Sequence, residues 1–345
     1  MSASDMPNAP RELIDPNGRP RFGNFAGAVA RINHKDFDFR ALRRWPWTAS
    51  SLLGGMLFKR WQFVGAIDEN LVLGAAVVHL NYVGSGFAYV YDRRTGTITE
   101  KNLKAPLARS TRFSESPVLG ISEIRSGDRF IRADNTTDGR ERRLQVDFGD
   151  ELRAEVQYRE PGSGVSTACE QAVNGFHYTY KSAGLPASGR VVAGGKETIL
   201  SEGALALLDW TASTPPRETT WNWAAGVGSD EQGRPIGINF SKGLVSGKFT
   251  QNAVWIDGNP HMQADVRFEY DGGNVLGKPW QLTTADGVVN LVFSPDHERY
   301  EKVNFGIIAS SLHQPFGTFE GTVKIGQTPM EVRLFGFCEE HYAKW

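Results

Sequence analysis

No window of the sequence approaches the roughly eighteen consecutive apolar residues of a membrane-spanning helix, and the first twenty residues, MSASDMPNAPRELIDPNGRP, hold no apolar leader segment. A soluble, cytoplasmic protein without an integral membrane segment is therefore expected. Cysteine is scarce: Cys169 and Cys338 are the only two, far apart, which is the usage of a reducing compartment and reads as two buried thiols. An excess of one charge is also missing. Lys and Arg number 38 against 39 Asp and Glu, for a net charge of −1, and no long basic stretch occurs. That excludes the electrostatic footprint of a nucleic-acid binder or of a polybasic membrane patch, and leaves a small or uncharged partner. The catalytic motifs with strong signatures are absent too: there is no HExxH, CxxC, GxSxG or phosphate-binding loop, and the seven His residues show no metal-ligand spacing. GVGSDEQG resembles part of a dinucleotide fingerprint, but it lies between two β-runs and not before a helix. No metal and no cofactor are expected.

Aromatics and glycine are plentiful, with Trp 9, Tyr 9, Phe 20 and Gly 38, and the pattern around them has a period of two. WQFVGAIDENLVLGAAVVHLNY alternates on both sides of Asp68-Glu69-Asn70 and reads as a hairpin. GSGFAYVYDRRTGTITEK reads as another, and HMQADVRFEY alternates with Met262, Ala264, Val266, Phe268 and Tyr270 on one side. Helix is expected only in short pieces, at Leu200–Trp210 and at Phe39–Trp45. The acidic turn Asp68-Glu69 recurs as Asp230-Glu231, and Asp92 recurs as Asp257, at offsets of 162 and 165 residues. The near-equal offsets suggest two related β-domains in tandem, or else the common grammar of antiparallel hairpins. The expected architecture is all-β, with two lipocalin-like barrels or strongly curved sandwiches, one over residues 1–165 and one over 166–345.

Several segments carry a resemblance to a bacterial family. They are LIDPNGRPRFGNFAG, FHYTYKSAGLPASG, WNWAAGVGSDEQGRPIGINFSKG, QNAVWIDG, VNLVFSP, FGTFEGTV and GFCEEHYAKW. Together they look like the family of domain of unknown function 2804, over most of the chain. That family supplies no reaction. More distantly, the arrangement is similar to tandem lipocalin-like proteins that include carotenoid hydratase, tocopherol cyclase and AttH-type proteins. This resemblance implies a cavity for an apolar, often isoprenoid molecule, sometimes with an acid that protonates an alkene. The family pattern has an acidic residue before the Asn252-Ala253 pair, where this chain has Gln251, so the resemblance supports no acid role at that position.

Three constellations carry possible chemistry. In the hairpin TTWNWAAGVGSDEQGRPIGINFSKG, Trp221 and Trp223 share one side while Asn222 and Ala224 share the other. Ile236, Ile238 and Phe240 oppose Gly237, Asn239 and Ser241 in the same way. The hairpin is accordingly read as having an aromatic-aliphatic side and a small-polar side with Asn222 and Asn239. Either the amides face a cavity that an apolar ligand fills, or the tryptophans simply fill the core. At the C-terminus, Met330, Val332, Leu334, Gly336 and Cys338 form an apolar line that ends on Glu340. A desolvated carboxyl there could donate a proton, whereas a solvated one would be an ordinary surface group. In FHYTYK, His177, Thr179 and Lys181 alternate with three aromatics. His177 is a candidate acid or base, or part of a polar outer face.

The reading drawn from these residues is an enzyme of hydratase, isomerase, cyclase or lyase type that moves a proton on a hydrophobic small molecule, with neither metal nor nucleotide. Glu340 and His177 are its candidate catalytic groups. Asn222, Asn239 and Asn252 would orient the ligand, and Trp221, Trp223 and Trp255 would line or support the cavity. A non-catalytic carrier needs the same cavity without the titratable pair, and a carbohydrate-binding module needs exposed, flat tryptophans.

Overall fold

The computed structural model describes residues 5–39, 56–135, 140–171, 175–245, 248–304, 306, 308–326 and 328–345. Among them the chain forms 23 strands and a short 3₁₀ turn at His34–Asp36. Two curled antiparallel sheets result, one a nearly closed barrel and the other a half-barrel. The first is 14-stranded and runs, edge to edge, through Thr97–Pro106, Val83–Asp92, Leu71–His79, Lys59–Ile67, Leu205–Ser213, Gly175–Ala193, Leu152–Arg159, Glu141–Asp147, Arg129–Asn135, Gly120–Ser126 and Thr111–Arg112. Gly23–Ala26, Val165–Gln171 and Lys196–Ile199 attach around the long strand Gly175–Ala193. The second is 9-stranded, with the order Asn259–Met262, Ala253–Ile256, Pro235–Lys242, Glu218–Ser229, Thr328–Lys344, Ala309–Ile325, Val289–Asn304, Trp280–Thr284 and Val266–Glu269.

Alternation along these strands divides the apolar side chains into three clusters. Val64, Leu73, Val90, Ile124, Ile131, Val156, Leu208 and Trp210 meet across the first sheet from its two ends, which makes their side the concave one. Ile236, Ile238, Phe240, Leu282, Phe293, Phe319 and Leu334 do the same in the second sheet. The opposite parities meet between the sheets, where Phe63, Ile67, Tyr89 and Leu207 pack against Trp223, Ala225, Trp255, Phe316 and Phe337. Each such buried side chain contributes about 1.5–3 kcal/mol, so the seam between the sheets is itself a core. Sheet membership changes between Ser213 and Glu218, and we propose that point as the boundary between two units, in place of 165/166.

The backbones of the two sheets approach closely at Gly237. A Cβ there would lie 2.4 Å from the Ala183 carbonyl carbon and 2.5 Å from the Gly184 nitrogen in the other sheet. Only glycine fits. Gly184 has φ +74°, and the register of its strand slips between Ala183 and Leu185, so the chain bends where the sheets touch.

Two local expectations fail. Leu200–Trp210 is no helix: Leu205–Ser213 is a strand, buried along its whole length, because both sides of this central strand are covered and its apolar run needs no alternation. HMQADVRFEY is two strands, Asn259–Met262 and Val266–Glu269, and Ala264 is exposed in the break between them. The expected helix at Phe39–Trp45 falls on residues outside those described, apart from Phe39.

Candidate functional site

Strand register decides which candidate residues meet. In the hairpin, Trp223 pairs with Ser241, Ala224 with Phe240 and Ala225 with Asn239. Paired residues project to the same side of an antiparallel ladder, so Trp223 and Asn239 share a face and Asn222 lies opposite with Ile238 and Phe240. The expected split into an aromatic-aliphatic side and a small-polar side is therefore wrong. Parity within each strand was correct, but the turn between Ser229 and Pro235 couples the parities the other way. Trp223 Nε1 donates to Asn239 Oδ1 at 2.8 Å, and Asn239 Nδ2 donates to the Gln251 carbonyl at 2.9 Å. In this hairpin an aromatic and an amide share a side because the buried Trp223 indole N–H takes the Asn239 amide oxygen as its acceptor.

The tryptophan side faces the seam between the sheets, and the buried charges gather there. Asp209 sits alone in the buried run LALLDWTAS. Lys181 Nζ lies 2.7 Å from its Oδ2, and Trp61 Nε1 donates to the same oxygen at 3.2 Å. Thr211 and Thr179 reach Oδ1 at 2.9 and 3.3 Å. Four donors thus fill the acceptor sites of this carboxylate, which holds Lys181 in place. Burial lowers the pKa of Lys181, against the opposing pull of Asp209 and Glu339. Its ammonium lies 4.9 Å from the Trp223 ring, in the facing sheet.

The facing sheet repeats the arrangement. Trp221 Nε1 donates to Glu339 Oε1 at 2.8 Å, and Gln314 Nε2 donates to Oε2 at 3.1 Å. Trp61 pairs in register with Thr211, two residues beyond Asp209, and Trp221 pairs with His341, two residues beyond Glu339. The acid strand is flanked by the tryptophan strand on one side and by the Lys181 or Gln314 strand on the other in both sheets. Where the first sheet has Lys181 the second has neutral Gln314, and where it has Thr211 the second has His341. His341 Nδ1 lies 3.2 Å from Glu339 Oε1 and its Nε2 lies 2.8 Å from Ser310 Oγ. Glu339 consequently has three neighbours and one acceptor site open, and the half-buried His341 connects it toward solvent. At this rim the rings of Trp61, Trp345 and Trp221 lie nearly parallel, with centroids 6.1 and 6.5 Å apart in succession.

His177 belongs to the same face. It is 2% exposed, its Nδ1 is 3.2 Å from Ser213 Oγ, and its Nε2 has no hydrogen-bond partner among the described residues. Burial, then the Lys181 charge, pull its pKa down to about 4. Glu340 points the other way. Tyr270 donates to Glu340 Oε2, Asn222 Nδ2 donates to Tyr270 Oη at 2.8 Å, and Tyr270 stacks on Trp280 at 3.7 Å, all on the concave side of the second sheet. Burial, and the hydrogen bond to Glu340, push Tyr270 upward. Glu340 and His177 are thus not brought together: His177 is on the first sheet and faces the seam, and Glu340 is on the concave side of the second. Trp255 is buried in the seam and donates to the Ser163 carbonyl at 3.3 Å. Asn252 accepts from the Ser241 N–H at 2.7 Å and donates to the Ala264 carbonyl at 3.1 Å, at the edge of a cleft of about 340 Å³. Asp209, Glu339, His341 and Gln314 were not singled out by sequence. The signal available for Asp209 was one acid inside a nine-residue apolar strand. Among the described residues no group of three or more His, Cys, Asp or Glu is placed to hold a metal ion.

The sequence profile described as domain of unknown function 2804 (DUF2804) matches residues 6–345. The chain belongs to the DUF2804 family. No curated protein matches it. Among solved structures it is similar to kievitone hydratase from Nectria haematococca, with a TM-score of 0.56 and 13% identity over 82% of this chain and 88% of that one. CghA matches over 98% of this chain and 97% of its own, with a TM-score of 0.53 and 12% identity. A putative AttH from Nitrosomonas europaea gives a TM-score of 0.51 and 13% identity, over 82% and 92%. At such identities the likeness establishes the fold these DUF2804 strands build, and the expected lipocalin-like architecture stands with it. No helix among the described residues is long and apolar enough to cross a membrane.

Proposed function

We propose that this DUF2804 protein is an enzyme that moves a proton on a small, largely apolar molecule held between the two sheets, in a hydration, isomerisation, cyclisation or elimination. The observation that carries the reading is a pair of buried carboxylates, one on the seam side of each sheet, one saturated by four donors and one left with an open site beside a histidine. Glu339 takes the part first assigned to Glu340: it exchanges a proton with the substrate, and His341 passes it to Ser310 and the solvent-facing rim. Lys181, held by Asp209 beneath the Trp223 ring, stabilises negative charge developing on the substrate, and its buried surroundings make that charge more effective. His177, neutral at ordinary pH with Nε2 unpartnered, supplies a further hydrogen bond at the inner end. Trp221 and Trp223 wall the site, and Asn239 fixes Trp223. Asn222 and Asn252 bind their own sheet and not the substrate.

The kievitone hydratase and CghA folds are compatible with this class of chemistry, and a solved CghA structure is described as a complex with Sch210972. Burial of Trp223 and Trp255 within the seam separates the site from a flat sugar platform. The test begins with the protein purified from its native host and its bound small molecules identified by mass spectrometry. The identified molecule is then incubated with enzyme in D₂O. Deuterium gained at carbon in the product supports proton transfer; a molecule released unchanged, with no exchange, makes the protein a carrier and refutes the reading.

A further inference from the structure

A second set of unpartnered polar groups lies on the concave side of the first sheet, away from the seam. Arg60 shares the parity of Val64 and Ala66 and is paired with Ala212 on one side and His79 on the other. Its guanidinium lies 5.3 Å from the Phe113 ring and 5.7 Å from that of Phe58. Its Nε is buried with no hydrogen-bond partner, and Arg60 enters none of the ion pairs among the described residues. The carboxylate with an electrostatic pull on it, Glu115, is itself engaged by Arg31 at 3.3 Å. Burial lowers Arg60 to about 10 even so. A largely desolvated guanidinium with no anion is costly, and such sites persist where a ligand supplies the counter-charge.

Two more donors lie beside it. Gln62, next along the same face, pairs in register with Trp210, and both Gln62 Nε2 and Trp210 Nε1 are buried without a partner. Phe113 bridges the group, its ring 5.5 Å from Trp210. His34, stacked on Phe58 at 4.2 Å, and His79, whose Nδ1 accepts from the Asn81 N–H, complete the rim. Burial and the Arg60 charge bring both histidines down to about 4, so they are neutral at pH 7. Their neutral rings, the Arg60 guanidinium and two neutral N–H donors match the carboxylate of an anionic ligand. Phe176, in ring contact with both Phe37 and Phe58, provides with them apolar surface for the body of the molecule.

We propose that this end of the concave face binds the carboxylate of an amphiphilic anion, with Arg60, Gln62 and Trp210 as its donors. The site is separate from the one between the sheets. Sodium decanoate is the probe, titrated calorimetrically into the full-length protein, with decanol and decyltrimethylammonium as matched neutral and cationic controls. Wild type binds decanoate saturably and the controls at least about tenfold more weakly, because the charge-assisted bonds are lost. Arg60→Gln weakens decanoate by about tenfold or more and leaves decanol unchanged. Gln62→Met keeps the side-chain volume and the charge of Arg60, and weakens decanoate several-fold, which reads the same contact independently of how Arg60→Gln folds. Glu339→Gln leaves decanoate affinity unaltered. Wild-type affinity in both Arg60→Gln and Gln62→Met, or binding of decanol as tight as that of decanoate, overturns the proposal.

Discussion

Acidification reports on the His177 environment directly. The folded chain holds His177 neutral down to about pH 4, against an ordinary value of 6.5, because the ring is buried and faces the Lys181 ammonium. The unfolded chain protonates this ring below about pH 6.5, so between there and about pH 4 it binds more protons than the native state, and stability falls as pH falls. The loss is complete once pH drops below the folded value. A fall from 6.5 to about 4 amounts to about 3 kcal/mol at 1.36 kcal/mol per pH unit. His34 and His79 act in the same direction but are common to wild type and to a His177→Gln variant, so they cancel in the comparison. Urea unfolding followed by circular dichroism, repeated between about pH 7 and pH 4, should show wild type losing about 3 kcal/mol relative to His177→Gln. A difference that stays constant with pH, or a variant that loses more than wild type, refutes the buried, cation-facing placement of His177.

Other perturbations test the seam. Asp209→Asn strands the Lys181 ammonium in a buried site and should cost about 3–5 kcal/mol in urea unfolding, whereas the double replacement of Lys181 by Met and Asp209 by Leu should recover most of it. Asn239→Ala leaves the Trp223 indole N–H without its acceptor and should cost about 1–3 kcal/mol by the same measurement. Gly237→Ala places a methyl against the backbone at Ala183 and Gly184, so it should lower the melting temperature and also shift the tryptophan fluorescence of the seam. A Gly237→Ala variant that melts like wild type contradicts the close approach of the sheets.

Period-two alternation made the all-β class legible, and hairpins such as Lys59–His79 followed from their acidic turns. What alternation cannot give is the register between strands. Trp221 and Asn222 were separated correctly, yet Asn239 was placed on the wrong side because the turn sets which parity meets which. The acid at the end of strand Thr328–Lys344 was sought at Glu340, which continues the apolar line through Cys338. Its neighbour Glu339 continues the line through Phe335 and Phe337, which is equally buried because this strand is covered on both sides. A doubly covered strand offers no polar face against which a single charge stands out, and the same holds for Asp209. The echo between the two hairpins did not give the pairing either: its offset of 162 residues sets Trp61 against Trp223, whereas the tryptophans that hold the acids of their respective sheets are Trp61 and Trp221.

The central claim is that the chemistry lies between the sheets and not on the concave face of the second. Turnover of the copurifying molecule by Glu339→Gln and Glu340→Gln, measured side by side with folding checked by circular dichroism, separates the two. The account predicts a loss of about 10²–10⁴ in kcat for Glu339→Gln and near wild-type turnover for Glu340→Gln. Full turnover by Glu339→Gln with loss in Glu340→Gln would contradict it.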